Sequence, residues 1–189
     1  VGKIKNKQYF ESIRLVIIGS EAVKESDFVL YKNSFSDHCY FSTGLGSTET
    51  CTTRLLLLNK QSIPICYAGL LPLGFAVAGM EITVEDEHGH LVEDGQIGEI
   101  TVNSQYLAQG YWNSSKNTFK TFVQKSRNTS QPYSYGTGDL GYLRPDNCLV
   151  HMGRKDHQVK IRGNRIETRE VELAIESISP ISQAVVISS

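Results

Sequence analysis

Short apolar segments separated by polar residues and glycines dominate the first third of the chain, and this pattern predicts short strands. Leu15–Ile18 is an apolar run short enough for a buried strand, and Gly19 follows it. A short helical stretch is expected before this strand, and a helix is predicted over residues 22–31. Cys39–Ser42 predicts a second strand, which we expect to lead into a glycine-containing loop.

From Leu70 onward the pattern changes to that of β-structure. Met80–Glu85 alternates apolar and polar residues with a period of two, a turn follows, and His90–Val92 resumes the alternation. Gly98–Val102 predicts a further strand, and Cys148–Met152 predicts another after a turn.

One helix is predicted to interrupt this β-region at residues 113–123. Phe119, Phe122 and Val123 would lie on its apolar face. The polar residues 124–134 that follow are expected to form a mobile surface loop.

The last part of the chain predicts a strand, a helix and a strand. His157–Ile161 alternates, Thr168–Ile178 carries an apolar stripe at helical spacing, and Ala184–Ile187 is an apolar run. The stripe consists of Val171, Ile175 and Ile178. Because a strand, a helix and a strand bury little surface on their own, we expect this part of the chain to be the beginning of a lobe.

Composition excludes several classes of protein. The 19 basic and 20 acidic residues give a net charge of −1, which offers no electrostatic reason to bind nucleic acid or an acidic membrane surface. No apolar run approaches the length that spans a bilayer, and no signal peptide is recognisable. The four cysteines form no Cys-x-x-Cys pair, which argues against a zinc site and favours reduced thiols in a cytoplasmic protein.

The segment Gly44–Thr50 is the first that could carry chemistry. Glycines allow a ligand to approach the backbone, and the hydroxyls of Ser47, Thr48 and Thr50 could bond to phosphate oxygens. Glu49 could hold Mg²⁺, which prefers hard oxygen ligands beside nucleotide phosphates. Glycine, serine and threonine also cluster in ordinary loops, so the residues alone leave both interpretations open.

Two further segments contain charges beside glycines. In Tyr135–Leu140, the carboxylate of Asp139 could accept two ribose hydroxyls, or Asp139 could be an ordinary turn residue. The charged segment Gly153–Gly163 could place a cation near phosphate with a hinge beside it, or could form a solvated basic hairpin.

Taken together, five segments in one order resemble the signature blocks of the adenylate-forming superfamily. These segments are Arg14–Glu21, Leu45–Thr50, Gly98–Trp112, Tyr135–Leu140 and Gly153–Glu167. The sequence His-Gln-Val-Lys-Ile-Arg-Gly within the last segment is similar to that of nonribosomal peptide synthetase adenylation domains, more than to that of acyl-CoA synthetases or luciferases.

This resemblance implies a fold and a reaction. The fold would be α/β, with a mixed sheet, a distorted β-barrel subdomain and the start of a small α+β lobe. Residues 1–152 would belong to the adenylation core, with a sheet part at 1–65 and a barrel part at 66–152, and residues 153–189 to the hinge and the mobile lobe. The implied ligase activates a carboxylic acid with ATP and Mg²⁺ as an acyl-adenylate, then transfers the acyl group to a carrier-protein phosphopantetheine.

The resemblance also implies roles for individual residues. Thr48 would contact the α-phosphate, Glu49 would coordinate Mg²⁺, and Arg154 would contact the ribose or a phosphate; these three are the implied catalytic residues. Asp139 would bind the ribose hydroxyls. The full implied nucleotide set is Gly19, Ser20, Glu21, Leu45, Gly46, Ser47, Thr48, Asp139, His151 and Arg154.

A second implied set concerns the acyl group and the mobile lobe. Asp156 matches the hinge residue, and Lys160 and Gly163 would lie on the hairpin that approaches the thiol. The implied acyl-pocket residues are Val16, Ile18, Gly44, Thr52 and Thr53.

Some features depart from the family pattern. Leu45 replaces an aromatic residue, Gly136 replaces an arginine or lysine, and Asn164 replaces an aromatic residue. The phosphate loop would lie upstream of residue 1 and the catalytic lysine downstream of Ser189, so the chain is expected to be a fragment that is inactive alone. Its partners would be the rest of the synthetase polypeptide, a peptidyl carrier domain and a small carboxylic acid. Two other functions stay open: an acyl-CoA or fatty-acyl-AMP ligase, and a non-catalytic interaction lobe.

Overall fold

Three sheets and three helices form the part of the chain that the structure, a computed structural model, describes: residues 10–124, 133–156, 158–161 and 164–187. The predicted helical stretch before Leu15 falls largely on residues outside this part. None of the helices within these ranges is long and apolar enough to cross a bilayer.

The first sheet has the strand order β1-β2-β3-β4, with β1 parallel to β2 and the other pairs antiparallel. One helix, α1, accompanies it. The bounds are β1 Leu15–Ile17, α1 Glu25–Ser34, β2 Tyr40–Ser47, β3 Cys51–Leu58 and β4 Phe75–Ala76.

Helix α1 begins where the Asp27 carboxylate accepts the Lys24 backbone N–H at 2.9 Å, and acidic residues in its first turn suit the helix dipole. Its buried side chains pack on the face of the first sheet from which the alternate residues Leu56 and Leu58 of β3 project. This first core consists of Val23, Phe28, Tyr31, Cys39, Phe41, Leu56, Leu58 and Leu71.

The opposite face of this sheet exposes large apolar side chains from four strands. Leu55 and Leu57 alternate with the buried leucines of β3, and the neighbouring strands continue the same exposed face through the strand register. The exposed set is Leu15, Ile17, Tyr40, Leu55, Leu57 and Phe75.

The second sheet has the order β5-β6-β8-β7, and β9 pairs with β8. The bounds are β5 Glu81–Glu85, β6 Gly98–Ser104, α2 Ser115–Thr121, β7 Phe122–Gln124, β8 Tyr133–Leu143 and β9 Leu149–Arg154. Its core is Met80, Ile82, Ile100, Val102, Leu107, Phe122, Tyr135 and Leu149.

Backbone hydrogen bonds join the first two sheets at Leu149. Its N–H donates to the Gly74 carbonyl at 2.9 Å, and its carbonyl accepts the Leu73 N–H at 2.8 Å. Close by, the buried guanidinium of Arg54 in β3 donates to the Asn147 carbonyl at 2.8 Å.

The third sheet is the hairpin β10–β11, Gln158–Ile161 and Asn164–Glu167, followed by α3, Thr168–Glu176. After α3, the N–H groups of Ala184 and Val186 donate to the carboxylates of Glu176 and Glu172.

The predicted α/β class is confirmed, and the predicted strands at Leu15, Met80, Gly98 and Cys148 correspond to β1, β5, β6 and β9. The proposed division of the chain at residue 152 stays a prediction.

Several local predictions are wrong. The predicted loop after Ser42 is mostly strand, because Gly44 and Gly46 pair with Leu55 and Thr52 of β3. His90–Val92 makes only an isolated bridge between Leu91 and Glu85. Ala184–Ile187 is not a strand, and the N–H groups of Ala184 and Val186 bond to helix carboxylates instead of a neighbouring strand.

The predicted apolar face of the helix at residues 113–123 is also wrong. Phe122 and Val123 belong to β7, where Phe122 pairs with Tyr135, and Phe119 in α2 is exposed. The predicted last helix is present as α3 and contains Val171 and Ile175, but it ends at Glu176, which leaves Ile178 beyond it.

Candidate functional site

A bulge in β8 places Asp139 at the site. Glu99 of β6 pairs with Leu140 and Thr101 pairs with Gly136, so that Thr137, Gly138 and Asp139 lie opposite Ile100 alone. Thr137 Oγ1 donates to the Ile100 carbonyl at 2.7 Å and accepts the Asp139 N–H at 3.0 Å. The bulge is therefore held in a defined conformation in which Asp139 leaves the ladder with β6 and keeps its pairing with Arg154 of β9.

Glycine is required at position 138 for two reasons. Its φ of +74° lies in the left-handed region that residues with a side chain rarely adopt. A Cβ atom there would also lie 2.6 Å from Nη2 of Arg154. The backbone at Gly138 can therefore lie directly against the charged groups of the site.

Arg154 binds two carboxylates at the end of β9. Its Nη1 donates to Oδ1 of Asp139 at 2.7 Å, and its Nε and Nη2 each donate to an oxygen of Asp156 at 2.7 Å. The hydrogen bonds with Asp156 raise the pKa of Arg154, while burial acts in the opposite direction. Because the side chains of Asp139 and Arg154 are only 10% and 13% exposed, this is a largely buried ion-pair cluster. His151 Nε2 lies 3.5 Å from the same Asp139 oxygen.

The turn between β2 and β3 lies across the cavity from Asp139. The Ser47 and Thr50 hydroxyl oxygens are 3.1 Å apart, and the Thr50 N–H donates to the Ser47 carbonyl. Glu49 is buried, and its Oε1 accepts the Tyr111 hydroxyl at 2.8 Å. Burial raises the pKa of Tyr111, so this residue stays a hydrogen-bond donor well above neutral pH.

Three cavities adjoin these groups, and Asp139 lines two of them. The third, about 580 Å³, is lined by Glu49, Tyr111 and Arg154 among others. The small cavity, about 350 Å³, lies between the β2–β3 turn and β8, and the large cavity, about 1160 Å³, extends from it towards the β10–β11 hairpin. Both sizes are near those of small-molecule sites, about 300–1,000 Å³. The small cavity is lined by Ser20, Leu45, Gly46, Ser47, Thr48, Glu49, Thr50, Thr53, Val102, Tyr135, Thr137, Asp139 and Arg154.

The donors and acceptors in the small cavity suit a nucleotide. Asp139 offers carboxylate oxygens to a diol, and the hydroxyls of Ser47 and Thr48 can donate to phosphate oxygens, whereas the Thr50 hydroxyl donates to the Cys51 carbonyl at 3.0 Å. No group of three His, Cys, Asp or Glu side chains placed to hold a metal ion occurs in the described part of the chain. Mg²⁺ is commonly held by one or two carboxylates plus substrate phosphates, so Glu49 with its neighbouring hydroxyls fits that ion.

A family model described as AMP-binding enzyme matches residues 2–112. The chain belongs to this family. It is 33% identical over 184 residues to surfactin synthase subunit 2 of Bacillus subtilis (strain 168). This alignment covers 95% of this chain and 5% of that protein. It is 34% identical over 156 residues to the D-alanine--D-alanyl carrier protein ligase of Lactiplantibacillus plantarum. This alignment covers 82% of this chain and 30% of that protein.

Solved structures agree with the family assignment. IdnL1 has a TM-score of 0.81 and 29% identity, covering 93% of this chain and 36% of its own. PA1221, a nonribosomal peptide synthetase protein containing adenylation and PCP domains, has a TM-score of 0.77 and 25% identity, covering 93% of this chain and 35% of its own. The resemblance to synthetase adenylation domains is thus confirmed, and this AMP-binding family member spans about a third of these solved chains.

Most of the predicted nucleotide set lies together in this AMP-binding family member. Ser20, Thr48, Asp139, Arg154 and the segment Leu45–Ser47 line the small cavity. Glu21 and His151 line only the large one, and Gly19 lines neither.

The predicted acyl-pocket set is not gathered in one place. Gly44 lines the large cavity and Thr53 the small one, while Val16 and Ile18 pack against the first core. Thr52 is exposed and lines neither cavity.

The predicted hinge and hairpin residues lie beyond Arg154. Asp156 lines the large cavity. Lys160 lies in β10, and Gly163 falls outside the described residues.

Sequence reasoning missed Tyr111, Thr137 and Glu99. All three lie inside the matched signature segments, and Thr137 stands two residues before Asp139, where a hydroxyl commonly bonds to a nearby N–H. No local pattern could have indicated that Tyr111 binds Glu49, which is 62 residues away in the chain.

Proposed function

We propose that this chain forms part of an ATP-dependent ligase that activates a carboxylic acid, an amino acid or a related acid, as its acyl-adenylate. The observation that carries the proposal is that Asp139 and the hydroxyl-rich Ser47–Thr50 turn line one cavity in a chain of the AMP-binding enzyme family. Two relatives support it by name: a ligase for a carrier protein, and a protein with adenylation and PCP domains.

In the first half-reaction, a carboxylate oxygen of the acid attacks the α-phosphorus of ATP, and pyrophosphate leaves. Asp139 would accept the ribose hydroxyls and so fix the nucleotide along β8. The Thr48 hydroxyl would donate to the α-phosphate, and Arg154 would stabilise negative charge near it. These groups position the reactants and balance developing charge without covalent participation.

Glu49 would hold Mg²⁺, which neutralises phosphate charge when bound. Tyr111 fixes the orientation of that carboxylate through its 2.8 Å hydrogen bond, which leaves acceptor capacity on the carboxylate.

In the second half-reaction, a phosphopantetheine thiol of a peptidyl carrier domain attacks the acyl carbon, and AMP leaves. Rotation about Asp156 would bring the hairpin with Lys160 and Gly163 towards the thiol. The rest of a cytoplasmic synthetase polypeptide would supply the remaining catalytic groups, within the biosynthesis of a secondary metabolite.

The ribose assignment is tested by comparing AMP with 2′,3′-dideoxy-AMP, which lacks both hydroxyls. We expect the wild-type chain to prefer AMP by about tenfold or more, as expected for hydrogen bonds to a charged group. In Asp139→Asn this preference should largely disappear. Equal affinities of the wild-type chain for the two nucleotides, measured by ligand-observed NMR, would reject the assignment.

The reaction itself is tested by carboxylate-dependent ATP–pyrophosphate exchange over a panel of amino, hydroxy, keto and fatty acids, with the full-length parent protein. Exchange with one acid identifies the substrate. Full exchange activity in the parent carrying Asp139→Ala would contradict the proposed mechanism.

A further inference from the structure

Glu99 connects two segments of the site, although it lines neither the small nor the large cavity. Its Oε1 accepts the Gly138 N–H at 3.0 Å, and its Oε2 accepts a hydrogen bond from the Lys155 ammonium. The Glu99 side chain is 20% exposed and that of Lys155 is 52% exposed, so the bond to Gly138 is better shielded from water than the bond to Lys155. The carboxylate therefore holds the β8 bulge from one side and the end of β9 from the other.

The bulge needs such a partner. Because residues 137–139 lie opposite Ile100 alone, their backbone groups lack regular ladder partners on β6, although Asp139 still pairs with Arg154 of β9. The Asp139 N–H is satisfied by Thr137 Oγ1, and the Gly138 carbonyl by the Lys155 N–H at 2.9 Å. Glu99 is the group that satisfies the remaining Gly138 N–H.

The orientation of the Thr137–Gly138 peptide, which carries the Gly138 N–H, affects the position of the Asp139 carboxylate. Gly138 precedes Asp139 directly, and Gly138 itself has no side chain to restrict its backbone. The Gly138–Asp139 peptide keeps its bonds to Lys155 and Thr137 when Glu99 is lost, so only the Thr137–Gly138 peptide loses its fixed acceptor. Rotation of that peptide would shift the Asp139 carboxylate relative to Arg154 and the small cavity.

We propose that Glu99 is a positioning residue for nucleotide binding: its Oε1 fixes the Gly138 peptide and thereby aims the Asp139 carboxylate into the small cavity. This inference rests on the proposed role of Asp139 in binding the ribose. Lys155 orients the Glu99 side chain, and Gly136, whose Cβ would lie 3.0 Å from Oε1, leaves that oxygen accessible to Gly138.

Three substitutions of Glu99 distinguish the effect of its side-chain length from the effect of its negative charge. Glu99→Gln keeps an oxygen at the same distance, Glu99→Asp keeps the charge but shortens the side chain, and Glu99→Ala removes both. Glu85 provides a matched control, because it is the cross-strand partner of Glu99 in β5 and its carboxylate accepts a hydrogen bond from Thr83.

Two quantities are measured on the full chain: the exchange rate of the Gly138 amide proton by NMR, and the dissociation constant for AMP. We expect Glu99→Ala and Glu99→Asp to accelerate Gly138 exchange and weaken AMP binding, each by about tenfold or more. Glu99→Gln should stay within about fivefold of wild type, since a neutral acceptor bonds less strongly than an ionised one. Glu85→Ala should leave both quantities near wild type.

The outcomes distinguish this inference from the proposed function. If Asp139→Asn leaves AMP affinity unchanged, the ribose assignment fails, whatever the Glu99 variants do. If Asp139→Asn weakens AMP binding but Glu99→Asp matches Glu85→Ala in both quantities, the positioning role of Glu99 is overturned. A Glu99→Gln variant as defective as Glu99→Ala would also overturn it, because charge rather than the bond to Gly138 would then matter.

Discussion

The Asp139 carboxylate and the Arg154 guanidinium face each other across the β8–β9 ladder, with Oδ1 and Nη1 2.7 Å apart. The same guanidinium binds both oxygens of Asp156. The proposed ribose ligand and the proposed hinge residue therefore share one cation, two residues before the hinge.

Replacing Arg154 with methionine is expected to lower the free energy of unfolding by about 3 kcal/mol. The substitution leaves the nearly buried Asp139 carboxylate without its strongest neighbouring cation, and breaking a buried pair typically costs 3–5 kcal/mol. Urea unfolding of the chain measures the change.

The double variant Arg154→Met with Asp139→Asn is the control for this prediction. Because it removes both charges, it should recover part of the loss. Strictly additive costs of the two single substitutions would show that the pair does not couple.

Replacing Tyr111 with phenylalanine is expected to reduce stability by about 1–2 kcal/mol and to weaken Mg²⁺-dependent nucleotide binding. The buried Glu49 carboxylate would lose its 2.8 Å donor and its fixed orientation. Tyr106→Phe is the control, since Tyr106 is largely exposed. Equal effects of the two substitutions on nucleotide binding would contradict a specific role for the Tyr111 hydroxyl.

Alkaline pH is expected to destabilise the chain. Burial raises the pKa of the Cys148 thiol above its ordinary value of 9.0 and that of Tyr31 above 10.0. The folded state favours the neutral forms, so their contribution is full below these ordinary values and is lost as pH rises through the higher folded-state values. The free energy of unfolding should therefore fall from pH 9 upward, and Cys148→Ala should make that fall shallower. A pH-independent free energy from pH 8 to 11 would disprove this.

Arg54 is expected to tolerate methionine better than alanine. Its guanidinium is buried, its Nε has no hydrogen-bond partner among the described residues, and burial lowers its pKa. Methionine fills the same space without burying a charge, so Arg54→Met should be as stable as wild type or more stable. Arg54→Ala should lose about 2–4 kcal/mol by leaving a cavity. Thermal unfolding of both variants measures this, and similar losses would show that the bond to Asn147 is essential.

Sequence periodicity predicted those strands that alternate cleanly, such as Met80–Glu85, because one of their faces is buried. It failed where tertiary pairing overrides local signals. Gly44 and Gly46 were interpreted as loop residues, yet both lie in the β2–β3 ladder, since glycine also occurs where two backbones approach closely.

In the candidate site, too, local sequence signals failed where contacts between distant residues decide the structure. The signature segments identified Thr48, Asp139 and Arg154, which do line one cavity. They could not indicate that Asp139 lies in a bulge of β8, because the groups that hold the bulge, Glu99 and Ile100, lie on another strand. Val16 is partly buried against the first core, and its role in an acyl pocket stays a prediction, because core and pocket residues are both apolar.

The backbone hydrogen bonds that join the first two sheets at Leu149 affect which positions of the sequence can change. The two sheets that bound the small cavity are connected there through backbone N–H and carbonyl groups of Leu73, Gly74 and Leu149. Of these positions, 74 must stay glycine, because its φ is +83° and a Cβ atom would lie 2.3 Å from the Leu55 carbonyl oxygen. Side chains that line the cavity can therefore change without breaking the bonds that set the spacing between the Ser47–Thr50 turn and β8, provided that Gly74 is kept.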